Sequence, residues 1–544
     1  MVSPPLLTVQ GLSITYPDRD SPAVKNVSFV LHQGEKLALV GESGCGKSTL
    51  GRSLVQLLPP HSQCQGAIAI EGQNIFELSQ PQWRQLRGEV VSLVFQDPMT
   101  RLNPLMTIGE HCLETVQSHR PQLSRSAAKQ RALDCLARVK IPANRWNQYA
   151  HEFSGGMRQR VAIALALLLK PKLIVADEPT TALDVTVAAE IVTELTRLCA
   201  EDNLGLLLIS HDLAMVGAHC DRLAVMNGGE IVEMGAATDI LRHPQQAYTQ
   251  TLLAAALTPV QTPLKFPKTP SPKPLLALKN VQQSFSLAGN LLSSVFQREK
   301  HWIKAVDGIN LDIFPGETVG LVGESGCGKS TLSRTILQLL PPTAGEVIFD
   351  GENLTQLSPR QMRAKRRQLQ MIFQDPNACL NPMMTVGQSI ADPLIIHNLG
   401  SRNAIKTQVM ASLEQVELTP TEDYFYRFPR QLSGGQQQRV AIARALITQP
   451  KFVICDEPVS MLDARVQSQV LTLMQELKTA FNLTYLFITH DLWVARAFCD
   501  RIAVMYQGKI IELGTTEQVF TNPQQPYTQR LLAAAPPLQV SAHR

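Results

Sequence analysis

Eight residues, Gly41-Glu42-Ser43-Gly44-Cys45-Gly46-Lys47-Ser48, recur letter for letter as Gly323-Glu324-Ser325-Gly326-Cys327-Gly328-Lys329-Ser330. Each copy fits the pattern G-x-x-x-x-G-K-[ST]. In the first copy the apolar run Leu37 to Val40 precedes it as a strand, and Thr49 to Leu58 follows with a helical pattern. A strand, a glycine turn and a helix start, in that order, gather successive backbone N–H groups around an anion. The glycines let the backbone wrap closely without Cβ clashes. Lys47 and Lys329 are placed to reach β- and γ-phosphates, and the hydroxyls of Ser48 and Ser330 to ligate Mg²⁺. One match can arise by accident; an identical second copy cannot be set aside that way. The chain is expected to bind nucleoside triphosphate at two places.

The repetition extends far beyond the loops. Pro5-Leu6-Leu7 aligns with Pro274-Leu275-Leu276, and Asp177 with Asp456, so nearly the whole chain is duplicated. The second copy carries about thirteen extra residues between Phe285 and Ala305, read as a loop insertion over Ser286 to His301. Between the copies, prolines at 259, 263, 267, 270, 272 and 274 exclude helix and strand alike and predict an extended tether. The expected organisation is a first domain over 1–257, a proline-rich linker over 258–273 and a second domain over 274–544. Short apolar runs alternate with helical patterns in each copy: Leu173 to Ala176 and Leu206 to Ile209, then Phe452 to Cys455 and Tyr485 to Ile488. Such alternation predicts an α/β class with a mainly parallel sheet. The more polar stretches 98–150 and 376–428 predict a helical subdomain in each half.

Bulk composition excludes several classes. Apolar content of 44% and charge of 18% suit an ordinary soluble globular chain. A net charge of +4 over 544 residues gives no argument for nucleic acid. Ten cysteines include no C-x-x-C pair, which argues against a zinc ribbon or a disulfide framework and predicts a reducing compartment. No secretory signal is read at the N-terminus. The longest apolar run, Val161 to Leu169, is nine residues, where spanning a membrane takes about twenty.

Two further patterns carry chemistry. Asp177-Glu178 and Asp456-Glu457 each close an apolar strand, where a ligand sits in such a sheet. Standing alone, an acidic pair there is a helix cap or a solvated turn. Beside a phosphate loop it predicts an Asp that holds Mg²⁺ and a Glu that orients or deprotonates the attacking water. Phe153-Ser154-Gly155-Gly156-Met157 and Leu432-Ser433-Gly434-Gly435-Gln436 each open a helical run at the same distance before their acidic pair. They read as a second anion-binding device.

Taken together, these residues resemble the ATP-binding cassette (ABC) transporter ATPases, with two cassettes fused in tandem, each a P-loop NTPase domain. The resemblance implies that ATP and Mg²⁺ are the ligands. It implies phosphate-loop contacts from Gly41, Ser43, Gly44, Gly46, Lys47, Ser48 and Thr49, and from Gly323, Ser325, Gly326, Gly328, Lys329, Ser330 and Thr331. Signature contacts would come from Ser154 and Gly156, and from Ser433, Gly435 and Gln436. The metal shell would draw on Ser48, Gln96 and Asp177, and on Ser330, Gln374 and Asp456, with Gln96 and Gln374 as Q-loop residues. Glu178 and Glu457 would be catalytic, with His211 and His490 as the switch histidines and Asp184 and Asp463 in the D-loops. Tyr16 is the expected adenine-stacking aromatic; Phe285 aligns with it, while Trp302 stays a rival in the second half. The resemblance also implies head-to-tail pairing of the two cassettes, joining Lys47 and Ser48 to Ser433, and Lys329 and Ser330 to Ser154.

A narrower resemblance rests on Leu102-Asn103-Pro104 and Leu380-Asn381-Pro382, and on Pro244-Gln245-Gln246-Ala247-Tyr248-Thr249 and Pro523-Gln524-Gln525-Pro526-Tyr527-Thr528. These are similar to the oligopeptide, dipeptide and nickel importer subfamily, including fused peptide and glutathione importer ATPases. The longer cysteine-bearing tail of some members is missing after Leu253 and Leu532, so no iron–sulfur cluster is expected. Met461 stands where the family usually has a small residue. This resemblance implies an ATP-hydrolysing, energy-coupling subunit, peripheral at the cytoplasmic face of the inner membrane. Its partners would be two transmembrane permease subunits and an extracytoplasmic solute-binding protein, with no nucleic acid. The alternative is a soluble tandem-cassette ATPase acting on ribosomes, a class that resembles proteins with a long, charged, helical linker, unlike this short proline-rich one. A cassette-type DNA-repair ATPase would need zinc-spaced cysteine pairs, which are absent.

Overall fold

Side chains alternate across a strand, so an apolar run without polar interruption predicts burial on both faces. The first half of a computed structural model, which describes residues 4–17, 20–97, 101–181, 183, 185–210, 212–257, 273–286 and 302–534, shows this directly. Its strands are β1 (Leu7–Thr15), β2 (Val24–Leu31), β3 (Lys36–Val40), β4 (Gln63–Ile70), β5 (Gln73–Asn74), β6 (Val91–Val94), β7 (Leu173–Asp177), β8 (Gly205–Ser210), β9 (Arg222–Asn227) and β10 (Glu230–Ala236). One sheet has the order β10-β9-β3-β8-β7-β6, parallel except for the β9–β10 pair. On β3, Ala38 and Val40 join the core shared with the helical segments, while Leu37 and Leu39 face the core on the other side.

That other core is closed by a second sheet, antiparallel and ordered β2-β1-β4-β5. The sequence reading did not foresee it. Its strands are buried on one face only, as in the alternating pattern of Val24–Leu31, so they lack a continuous apolar run.

The second half repeats the plan with β11 (Leu276–Ser286), β12 (Trp302–Ile313), β13 (Thr318–Val322), β14 (Ala344–Phe349), β15 (Glu352–Asn353), β16 (Leu369–Ile372), β17 (Phe452–Asp456), β18 (Thr484–Thr489), β19 (Arg501–Tyr506) and β20 (Lys509–Thr515). Its sheets run β16-β17-β18-β13-β19-β20 and β12-β11-β14-β15. The chain divides into two compact units corresponding chiefly to these halves. The helical stretches fall where the sequence placed them, at Ile108–His119 and Arg125–Arg138, and at Val386–Ile396, Arg402–Gln415 and Thr421–Tyr426. Thr107 and Glu110 form a capping box at the start of the first.

Two local expectations change. The helix after the first phosphate loop spans Lys47–Ser53 and does not continue to Leu58. The Arg87 guanidinium takes the carbonyls of Val55 and Gln56, both at 2.9 Å, and Gln56 turns to φ +48. Arg366 does the same to Leu337 and Gln338 in the second half. Ser286, read as part of the inserted loop, ends β11 and pairs with Trp302. The remainder of that insertion, 287–301, and the linker residues 258–272 lie outside the described residues. Among the described residues, no helix is long and apolar enough to cross a membrane.

Candidate functional site

The phosphate loop joins the end of β3 to the helix Lys47–Ser53. Gly46 caps that helix at φ +108, and a Cβ there would meet Met226 Cε at 2.9 Å and the Ala23 carbonyl oxygen closer still. Only glycine fits so tight a turn. Lys47 is buried, and its Nζ donates to the carbonyls of Gly41 and Glu42 at 2.7 and 2.8 Å. Lys329 repeats this with Gly323 and Glu324 at 2.6 and 3.0 Å. Thr49 meets the phenol of Tyr16 at 2.9 Å, which holds the expected adenine-stacking ring beside the loop helix.

Parallel pairing brings the tip of β7 to this loop. Ser48 Oγ donates to Asp177 Oδ1 at 2.8 Å, and Asp177 is 2% exposed. Burial pushes the Asp177 carboxyl above its ordinary range, and the Ser48 bond pulls only partly against that. In the second half burial and the neighbouring Glu457 charge raise Asp456, with Ser330 as the opposing hydroxyl. A buried carboxylate beside a hydroxyl is a fitting pair of hard-oxygen ligands for Mg²⁺. Among the described residues no group of three or more His, Cys, Asp and Glu gathers as a metal cage.

The glutamate after each aspartate is held in an unusual backbone. Glu178 and Glu457 have φ of +46 and +48, a left-handed conformation costing a side-chain-bearing residue about 1–2 kcal/mol. Ladder bonds hold them there: the N–H of Glu178 donates to Ile209 O, and that of Glu457 to Ile488 O, both at 2.9 Å. Glu178 Oε2 accepts from Gln96 Nε2 and from Thr181 Oγ1, both at 3.0 Å. Glu457 Oε2 accepts from Gln374 Nε2 at 2.9 Å and lies 3.0 Å from His490 Nδ1. Burial pushes Glu457 up, but the hydrogen bond and charge of His490, joined by Lys329, bring it below the ordinary glutamate range. His490 is pushed down by burial and raised further by Glu457, ending above the usual imidazole value.

The loops, Asp-Glu pairs and Q-loop glutamines thus converge in each half. The signature serines do not join them; Ser154 and Ser433 stand exposed and cap their own helices through the N–H of Met157 and Gln436. Gly156 and Gly435 leave room for Val187 and Val466, whose Cγ1 would lie 2.5 Å from an added Cβ. Gln436 also closes a capping box with Ser433, which Met157 has no side-chain acceptor to copy. Phe285 and Trp302 are 42% and 56% exposed at the open ends of β11 and β12. His211 and Asp184 lie outside the described residues. Sequence reasoning missed Thr181, and it missed Tyr248 and Tyr527, whose hydroxyls meet the loop backbones at Glu42 and Glu324. The repeated Pro-Gln-Gln-x-Tyr-Thr segment is the signal that could have found the two tyrosines.

Comparison with known proteins adds an independent line. Residues 24–181 and 306–460 match the ABC transporter family, and residues 232–280 and 511–544 match the oligopeptide/dipeptide transporter C-terminal region. The chain is 41% identical over 569 residues to the glutathione import ATP-binding protein GsiA of Salmonella choleraesuis (strain SC-B67). That alignment covers 99% of this chain and 91% of the relative. The protein of the same name from Shigella dysenteriae serotype 1 (strain Sd197) is 41% identical over 572 residues, with the same coverage.

Proposed function

We infer the function from this premise: the chain belongs to the ABC transporter family, in both of its halves. It is the ATP-hydrolysing subunit of a peptide-type importer, and it works with membrane permeases. The observation that supports hydrolysis best is the cluster repeated in both halves, with a loop serine on a buried Asp and a left-handed Glu beside it.

Our finer reading takes 1–257 and 274–544 as the two cassettes and 258–273 as their linker. In each half the loop amides and Lys47 or Lys329 bind the phosphates, and Tyr16 stacks on adenine, with Phe285 or Trp302 as its counterpart. Ser48 with Asp177 and Gln96, and Ser330 with Asp456 and Gln374, would hold Mg²⁺. The metal supplies charge neutralisation on the β- and γ-phosphates. Glu178 and Glu457 take the proton of the attacking water, and His490, already bonded to Glu457, orients that carboxylate and meets the γ-phosphate. His211 has the same role in the first half. Ser154, Gly156, Ser433, Gly435 and Gln436 complete the opposite site when the cassettes pair head to tail. This subunit lies peripherally at the cytoplasmic face of the inner membrane, and two transmembrane permease subunits and an extracytoplasmic solute-binding protein complete the importer. The solute is a peptide or a related small molecule such as glutathione.

The test is hydrolysis by the purified chain. Turnover should require Mg²⁺, and Glu178→Gln with Glu457→Gln should keep ATP binding while losing about 10²–10⁴-fold in rate, the usual contribution of a general base. Undiminished hydrolysis in that double variant would remove both glutamates from the mechanism.

A further inference from the structure

One peptide in each phosphate loop is held from both sides. In the Gly41–Glu42 peptide, the carbonyl accepts from Lys47 Nζ at 2.7 Å and the N–H donates to Tyr248 OH at 3.3 Å. In the Gly323–Glu324 peptide, the carbonyl accepts from Lys329 Nζ at 2.6 Å and the N–H donates to Tyr527 OH at 3.1 Å. The two tyrosines lie 206 and 203 residues further along the chain than the peptides they meet. A peptide that follows glycine has little conformational restraint of its own, so an outside contact decides how it is turned.

The tyrosines are themselves anchored. Each sits in the first turn of a helix, Ala247–Leu257 or Pro526–Ala534. A strand carboxylate fastens the entry to each helix. Glu233 of β10 accepts from the N–H groups of Gln245 and Gln246 at 2.8 and 3.2 Å, and Glu512 of β20 from those of Gln524 and Gln525 at 2.8 and 3.1 Å. Carboxylates at a helix entry satisfy otherwise orphaned donors. Burial pushes the Tyr248 phenol up to about 12, so its oxygen stays a neutral acceptor at working pH.

We propose that Tyr248 and Tyr527 are positioning residues for the two phosphate loops, setting nucleotide affinity from the C-terminal region of each half. This rests on the reading that the loops bind ATP. The tyrosine turns the peptide so that its carbonyl keeps the lysine over the loop and its N–H stays satisfied away from the phosphates. The two tethers differ in stiffness. Tyr527 is 7% exposed and its ring packs on Tyr506 with centroids 4.3 Å apart; the matching residue at the end of β9 is Asn227, and Tyr248 is only half-buried. Loss of the Tyr527 hydroxyl should therefore weaken its site more than loss of the Tyr248 hydroxyl.

The experiment uses the full chain as wild type, Tyr248→Phe, Tyr527→Phe and the double variant. Affinity is read by titration with trinitrophenyl-ATP, and kcat and KM by steady-state ATP hydrolysis. One hydrogen bond that serves ground state and transition state alike should raise KM and Kd about three- to tenfold in the double variant and leave kcat within about twofold. Glu233→Gln with Glu512→Gln should act in the same direction, and adding them to the tyrosine pair should raise KM no further, because they work through the tyrosines. A fall in kcat with unchanged KM, as from a lost folded fraction, would overturn the proposal. So would full additivity of the two pairs. If wild type binds the analogue and the tyrosine variants match it, the tether alone falls. If wild type binds none, the ATP reading falls with it.

Discussion

Two glycines of one loop should respond to the same substitution very differently. Gly44 has φ +80 with open space where a Cβ would go. Gly46 has φ +108, and its Cβ would lie 2.9 Å from Met226 Cε and closer still to the Ala23 carbonyl oxygen. That carbonyl is not free to retreat, because the Ala23 N–H is bonded to Ile14 O at 2.7 Å. Gly44→Ala should cost only left-handed backbone strain, about 1–2 kcal/mol. Gly46→Ala adds overpacking to a larger strain, together about 2–5 kcal/mol. For a unit of this size each kcal/mol moves Tm by about 2–4 °C. Scanning calorimetry of the full chain should therefore show a modest loss for Gly44→Ala and a loss about twice as large or more for Gly46→Ala. Relief of the overpacking displaces the start of the helix that carries Lys47 and Ser48, so Gly46→Ala should also abolish tight ATP binding. The second half offers the same contrast, with Gly326 open at φ +82 and Gly328 confined at φ +111. Equal Tm losses for Gly44→Ala and Gly46→Ala would refute the steric argument.

Two more outcomes follow from the site and its surroundings. The raised His490 pKa means that its ion pair is fully present below its ordinary value of 6.5 and is lost as pH rises through the folded value. The lowered Glu457 pKa means the contribution is present above 4.5 and lost as pH falls through the folded value. His490→Ala should therefore cost most between those limits, about 1.5–3 kcal/mol for a hydrogen bond between charged groups, and less at pH 9, measured by urea unfolding at both ends; an equal cost throughout would remove the charge from the pair. The chain should sediment with membranes only when its permeases are present, whereas recovery on ribosomes without any membrane protein would support the soluble tandem-cassette alternative.

What the sequence disclosed, and what it hid, follows from the range of the forces involved. The phosphate loop, the strand-end acidic pair and the Ser-Gly-Gly helix starts are local patterns, and each formed the element its residues demanded. The parallel strands were legible because burial on both faces leaves an unbroken apolar run such as Leu206 to Ile209. The antiparallel sheet was not, since half-buried strands carry a diluted pattern. Lys47–Ser53 stops short for a reason about thirty residues distant, the Arg87 guanidinium, so the apolar residues after Ser53 gave a false continuation. The left-handed turn at Glu178 and Glu457 depends on a ladder bond to the neighbouring strand, which no local window contains. The tyrosine tethers lie further out again, joining a loop near the start of each half to a helix near its end.

On the head-to-tail pairing proposed above, each ATP site would combine the phosphate loop of one cassette with the signature of the other. Nucleotide occlusion by the full chain carrying Glu178→Gln and Glu457→Gln tests it directly, because bound ATP is then held without being cleaved. Adding Lys47→Ala and Ser433→Arg strikes one proposed site twice and spares the other. Adding Lys47→Ala and Ser154→Arg strikes each site once. Mutations within one functional unit are not additive, so the first variant should retain about one ATP per chain and the second almost none. Equal occlusion by the two variants would remove the head-to-tail pairing and leave each half working alone.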